Sequence, residues 1–199
     1  TKYAPKYIEA KQYLKEIGDI KYLDINFSQY SRRYDKFKEG IILPAFSRQL
    51  CGGALMDLGV YNIHFVVGMF GEPKKINYFP NMINDIDTSG LLVLDYGTFK
   101  ASLFQAKDCK MLPHSVIQGD KGYIYFDSTT SRCSNYKVVF NDGRVIEVSG
   151  DDNEEFIGWH TMYQEFVNLF NNKDYDLCYE YMKETLAVQK VLEIAASQR

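Results

Sequence analysis

The sequence predicts an α+β fold, a large, mostly antiparallel open β-sheet with helices packed on one face. Three observations lead to it. Seven short strand-like segments follow one another between residues 75 and 148 with tight turns between them, and an eighth lies upstream. Apolar residues recur at helical spacing near both ends of the chain, and one long apolar stretch of helix length stands between. No repeat, low-complexity segment or linker divides the 199 residues, so they read as one domain.

The elements are justified in order. Residues 5–17 carry Tyr7, Ile8, Leu14 and Ile17, with Gly18 as a stop, and read as a helix. Residues 21–30 alternate, Leu23, Ile25 and Phe27 on one face against Asp24, Asn26 and Ser28 on the other, the period of a half-buried strand. Residues 31–50 show no period and read as a long loop holding Arg32, Arg33, Lys36, Lys38 and Arg48. Residues 53–70 are apolar nearly all round and too long for a strand, hence a buried helix ended near Gly71 and Pro73. Strands are expected at 75–79, 89–96, 98–105, 115–118, 123–126, 136–140 and 144–148, the last two joined by the turn Asn141-Asp142-Gly143. Leu91 to Leu94 is continuously apolar, so that strand is expected to be covered on both faces. An amphipathic helix follows, with Trp159, Met162, Tyr163, Phe166, Val167 and Phe170 on its stripe. The last helix, 177–197, places Tyr181, Val188, Leu192 and Ala195 together.

Composition narrows the function classes. The net charge of −3 disfavours nucleic acid as a partner. No run of 18 uninterrupted apolar residues occurs, so no membrane span is expected. Cys51, Cys109, Cys133 and Cys178 form no C-x-x-C pair, which disfavours zinc, and nothing demands an oxidising compartment. A cytoplasmic protein without a metal is the default. The N-terminus carries no apolar signal core and no initiator Met. With 16 Tyr and 13 Phe and alternating strands, a second copy of the chain is a plausible cover for the free sheet face, giving a homodimer.

The chemistry is expected on the central helix. Asp57, Tyr61 and His64 stand at i, i+4 and i+7, within one narrow polar stripe on an otherwise apolar rod. A carboxylate, a phenol and an imidazole in a row can position or relay protons; they can also be a satisfied buried network that fixes packing. Arg48 and Gln49, just before the helix, are placed to reach a substrate. Gly52 and Gly53 open the helix and could receive an anion or permit close packing. The mixed run at 32–39 reads as a solvated loop or a contact for an acidic or phosphorylated ligand. His114, His160 and Cys51 read as structural or surface residues.

The stretch CGGALMDLGVYNIHFVVGMFGEPKKI resembles the signature of the Gfo/Idh/MocA oxidoreductases, roughly G-G-G-x-L-x-D-x-G-x-[HY]. APKYIEAKQYLKEIGDIKYLDINFS, DIDTSGLLVLDYGTFKASL and VIQGDKGYIYF are similar to the family's segments on either side, so the resemblance covers nearly the whole chain. Tyr at position 61 resembles the subgroup of dimeric dihydrodiol dehydrogenase and glucose-fructose oxidoreductase. The resemblance implies that all 199 residues form the C-terminal domain, with a dihydrodipicolinate-reductase-like sheet, that shapes the substrate site and mediates dimerisation. It implies an N-terminal Rossmann domain, absent from this chain, that binds NAD or NADP. By the same resemblance, Asp57 orients a small polyhydroxylated substrate and Tyr61 takes the acid–base position, with His64 beside them as a substrate contact; Arg48 and Gln49, by their place before the helix, are further expected substrate contacts, and Gly52 and Gly53 at its start expected cofactor contacts. The chain has no G-x-G-x-x-G after a strand and no Glu-Lys-Pro segment with its lysine, so it is expected to be inactive alone. The alternative is a ligand-binding or dimerisation module of the same fold without chemistry.

Overall fold

Period-2 alternation is translated directly into a two-faced sheet. In β1 (Ile20–Ser28), Leu23, Ile25 and Phe27 are buried on one face while Tyr22, Asp24 and Asn26 point to the other. Seven more strands join it: β2 (Lys75–Ile83), β3 (Ile86–Asp95), β4 (Lys100–Ala106), β5 (His114–Gly119), β6 (Gly122–Phe126), β7 (Tyr136–Phe140) and β8 (Val145–Val148). The architecture comes from a computed structural model, which describes residues 1–150 and 157–199, and side chains at 1–150 and 160–199. Its sheet has eight strands in the order β2-β3-β4-β1-β5-β6-β7-β8. Every neighbouring pair is antiparallel except β1–β4, which run parallel with Leu23 opposite Ala101 and Ser28 opposite Ala106.

One face of the sheet carries the helices. α1 (Pro5–Lys11) starts on a proline, whose fixed φ suits a first helical position, and continues as a 3-10 turn to Leu14; the observed helix is shorter than the expected 5–17 and tightens at its end. The central rod begins with a π-helical turn, Leu55–Gly59, and continues as α3 (Val60–Phe70). Its apolar composition would suffice to cross a membrane, but it is the core helix of the domain: Leu55, Ile63, Phe65 and Val66 are fully buried. They meet Leu23, Ile25, Leu92, Leu103, Ile117 and Ile124 from the sheet, and Val188, Val191, Leu192 and Ala195 from α5 (Tyr175–Ala196). Tyr7 on α1 packs edge-on against Phe65 and donates its hydroxyl hydrogen bond to the Phe65 carbonyl at 2.9 Å.

Several features depart from the sequence reading. The 31–50 segment is no bare loop. It holds the short helix α2 (Tyr34–Lys38) and packs Tyr34, Phe37 and Phe46 with Ile86 of β3 into a second small core, with Phe37 and Phe46 stacked at 4.8 Å. The β2–β3 hairpin runs past Pro80 to a two-residue turn in which Asn84 and Asp85 both take positive φ, the geometry of a hairpin turn. Pro80 is tolerated because β2 is an edge strand. α4 (Ile157–Asn172) does not bury its stripe: Tyr163, Phe166, Val167 and Phe170 are exposed, and the Trp159 side chain lies outside the described residues. Leu91 and Val93 are covered on the helix-free face only in part.

One buried carboxylate ties these parts together. Asp87 of β3 is fully buried and accepts from the Leu55 amide at 2.7 Å, the Tyr78 hydroxyl at 2.8 Å and the Arg199 guanidinium at 2.9 Å. Burial, and next the Asp87 charge, push the Tyr78 phenol far above its ordinary value, so it stays a donor. Removing one partner of a buried ion pair strands the other charge. Asp87→Ala is therefore expected to lose about 3–5 kcal/mol of stability in urea unfolding, and Asp87→Asn less.

Candidate functional site

The site lies where β1 and β4, the parallel pair, end together. β1 runs out at Ser28 beside Ala106, and the next residue of the β4 chain is Lys107. Lys107 is held from both sides: its amide donates to the Thr88 carbonyl at 2.8 Å and its carbonyl accepts from the Ser31 amide at 2.9 Å. Its side chain is 3% exposed, and its ammonium reaches the Asp57 carboxylate and donates to the Ala45 carbonyl at 2.9 Å. It also sits 4.8 Å over the Phe46 ring, a cation–π contact in a desolvated place.

Asp57 stands in the π-helical turn that opens the rod. It is not sunk in protein as the stripe suggested. Its side chain is 51% exposed, with Oδ2 engaged by Lys107. Such turns, with an extra residue in the helical ladder, recur at functional sites. They also change the arithmetic of the stripe, because constant α-helical rotation does not hold across the turn. Tyr61, already in the α-helical part, packs against Phe27 of β1 with ring centroids 6.1 Å apart. Phe27 pairs with Gln105, two residues before Lys107, so Asp57 and Tyr61 lie over the same end of the parallel pair. The Tyr61 hydroxyl has no hydrogen-bond partner among the described residues.

His64 is not brought into this pair. It faces α5, with Nδ1 3.8 Å from Glu184. Burial works to raise the Glu184 carboxyl, but His64, Lys2 and Lys11 outweigh it and hold it below its ordinary value. Gly52 and Gly53 are buried, and their amides are already committed, to the Ser47 carbonyl at 2.8 Å and the Ala45 carbonyl at 3.1 Å. A Cβ on Gly53, at φ +109°, would collide with the Asp87 carboxylate. The anion expected at this glycine-rich helix start is thus supplied from within, by Asp87 on the Leu55 amide. Arg48 is exposed and pairs with Asp85 at 3.3 Å, tying the segment to the β2–β3 turn, and Gln49 is exposed beside it.

Among the other candidates, Lys38 pairs with Asp35 at 2.8 Å, as a solvated mixed-charge run does. Arg32, Arg33 and Lys36 are exposed, as are Cys51 and His160. His114 lies on the opposite, helix-free face, 3.4 Å from Asp24. Among the described residues no cluster of three or more His, Cys, Asp or Glu is gathered to hold a metal. Lys107 and Asp87 escape a sequence reading. A lysine just past a strand looks like a surface residue, and Asp87 sits in the polar run IDTS.

The Glu184 environment sets a pH test. A carboxyl held below its ordinary value contributes stability that is present above that value and lost as pH falls through the folded value. Glu184→Gln should therefore cost stability near pH 7, with the difference from wild type shrinking as pH falls below the ordinary carboxylate range, as read from urea midpoints across pH.

Comparison with known proteins identifies the family and the fold. The family model described as the GFO/IDH/MocA C-terminal domain matches residues 7–125. The chain is 32% identical over 200 residues to scyllo-inositol 2-dehydrogenase (NADP(+)) IolU of Bacillus subtilis, covering all of this chain and 60% of that protein. It is 28% identical over 134 residues to trans-1,2-dihydrobenzene-1,2-diol dehydrogenase of Xenopus tropicalis, covering 64% of this chain and 38% of that one. Among solved structures, a variant of the 3-ketoreductase KijD10 from Actinomadura kijaniata, in complex with TDP-benzene and NADP, superposes with a TM-score of 0.73. That match has 14% identity and covers 98% of this chain and 58% of the other, a likeness of fold. The chain thus spans about 60% or less of the length of these relatives. With its open sheet, its central helix and the Gly52–Tyr61 motif in place, the chain belongs to the GFO/IDH/MocA C-terminal domain family.

Proposed function

We propose that this chain is the substrate-side domain of an NAD(P)-dependent oxidoreductase that acts on a CH–OH carbon of a small polyhydroxylated substrate, a sugar, polyol or dihydrodiol. The observation that carries the reading is the placement of a half-exposed Asp57 and the Tyr61 phenol over one end of the parallel strand pair. Two relatives are named for a cyclic polyol and a cyclic diol, substrates that present neighbouring hydroxyls to such a pair.

The division of labour follows from the donors and acceptors available. Asp57 is anchored through Oδ2, which leaves Oδ1 to accept a hydrogen bond from a substrate hydroxyl and orient it. In the reducing direction the Tyr61 hydroxyl can pass its proton to the carbonyl oxygen and become phenolate; in the oxidising direction the phenolate takes the proton of the carbinol hydroxyl and becomes the phenol again. The Gly52–Gly53 turn does not fit a dinucleotide phosphate, because both amides are committed and the helix start is capped by Asp87. The dinucleotide is therefore assigned to a Rossmann domain outside these residues, and a nicotinamide held there supplies or accepts the hydride. On this reading the 199 residues alone are inactive.

The free face of the sheet carries half-buried Leu91, Val93, Phe104, Val116 and Tyr125 and the exposed Phe79. We assign it to a second copy of the chain, in a homodimer. A second functional reading has one observation in its favour. Asp57 is paired inside the chain, as it would be in a binding module without chemistry.

Mutation of the intact protein separates the two. Asp57→Asn and Tyr61→Phe should each lower turnover by about 100-fold or more with the fold unchanged, read from nicotinamide absorbance. Unchanged turnover in both would remove the two residues from the catalytic assignment, and a wild type that binds ligand without turnover would favour the module. In sedimentation velocity the intact protein should run at twice its chain mass, and Val116→Lys should halve that value; a wild type already at chain mass would remove the dimer.

A further inference from the structure

We propose that Lys107 is a positioning residue for this site, acting through Asp57. The inference rests on the reading that Asp57 meets the substrate. It starts from a charge in an unfavourable place: an ammonium 3% exposed is costly to desolvate and is retained only if paired. Its charged partner is a carboxylate that remains half in water.

As a stability device this pair is poor, because a buried ion pair replaced by a well-packed apolar side chain often costs nothing. As a positioning device it is well made. The Lys107 backbone is clamped between Thr88 and Ser31, so the stem starts from a fixed point. The ammonium is steadied by the Ala45 carbonyl and by the Phe46 ring, itself stacked on Phe37. Asp57, in contrast, stands half exposed on a π-helical turn, and its carboxylate is held by Lys107. The fixed cation engages Oδ2 and so sets the direction in which Oδ1 faces. Lys107 touches neither substrate nor hydride in this account. It decides where the orienting carboxylate points.

The test is a double-mutant cycle in the intact protein. Lys107→Met keeps the stem's volume and removes the charge. It should lower kcat by about 10–100-fold, the cost of a misplaced orienting group. KM should stay within about threefold, and Lys107→Arg, which restores a cation, should recover most of the loss. In an Asp57→Asn background, Lys107→Met should cost less than about twofold more, because the group it steers is gone. A nitrogen NMR signal of the Lys107 ammonium should be visible in the wild type and move on Asp57→Asn. The proposal is overturned by unchanged kcat in Lys107→Met, by the same loss with and without Asp57, by a loss confined to KM, or by an ammonium signal indifferent to Asp57→Asn. Failure of both Lys107→Met and Lys107→Gln to fold would assign Lys107 to the core and overturn it too. Full turnover in Asp57→Asn would instead sink the functional reading on which this one rests. Loss in Asp57→Asn with none in Lys107→Met sinks this one alone.

Discussion

The start of the central helix is pinned by a carboxylate that has no access to water, and the rest of the domain's geometry depends on that contact. Asp87 gathers the first helical amide, a phenol from the edge strand and the guanidinium of Arg199 around two oxygens. With three charge-assisted or neutral donors in a dry place, each partner supports the others, and loss of the acceptor would leave all three unsatisfied. The Gly52–Gly53 turn exists to let this happen. Gly53 gives the carboxylate room, and Gly52 packs where a Cβ would strike the backbone of residues 44–47. The segment that carries Phe46, and with it the wall over Lys107, is thereby locked to the helix that carries Asp57.

The single parallel pair gives the site its position. Antiparallel neighbours alternate direction, so their chain ends scatter to both sides of a sheet. β1 and β4 run the same way and finish together, releasing two connections at one place. One is the 29–50 segment with its aromatic core, and the other begins with Lys107. The π-helical turn then leaves Asp57 over the gap between them. Charge, direction and exposure converge there without a glycine-rich phosphate cradle, which is consistent with a domain that recognises hydroxyls.

Much of this was legible in the residues. All eight strands follow from alternation and turn chemistry, and Val188, Leu192 and Ala195 face the core as their spacing says. The Gly52–Tyr61 motif falls on the central helix, as its apolar surroundings predict, and Asp57 and Tyr61 share one end of the strand pair. What escaped has a physical cause in each case. The β1–β4 pairing is long-range and leaves no local periodicity. The Asn84–Asp85 turn lacks the glycine that flags a hairpin, and Pro80 hid the continuation of β2 to Ile83. The π-helical turn breaks the constant rotation on which the three-residue stripe was built, and His64 spends itself on Glu184. Lys107 and Asp87 act through burial, and burial of a charge is visible only once the fold is known.

A crystal structure of the intact protein with a nicotinamide dinucleotide and a cyclic polyol tests the central claim most directly. The account predicts neighbouring polyol hydroxyls within hydrogen-bond distance of Asp57 Oδ1 and the Tyr61 hydroxyl, with Oδ2 still on Lys107 and the dinucleotide held outside these 199 residues. A polyol bound elsewhere, or Asp57 and Tyr61 covered by protein with no ligand beside them, would contradict it.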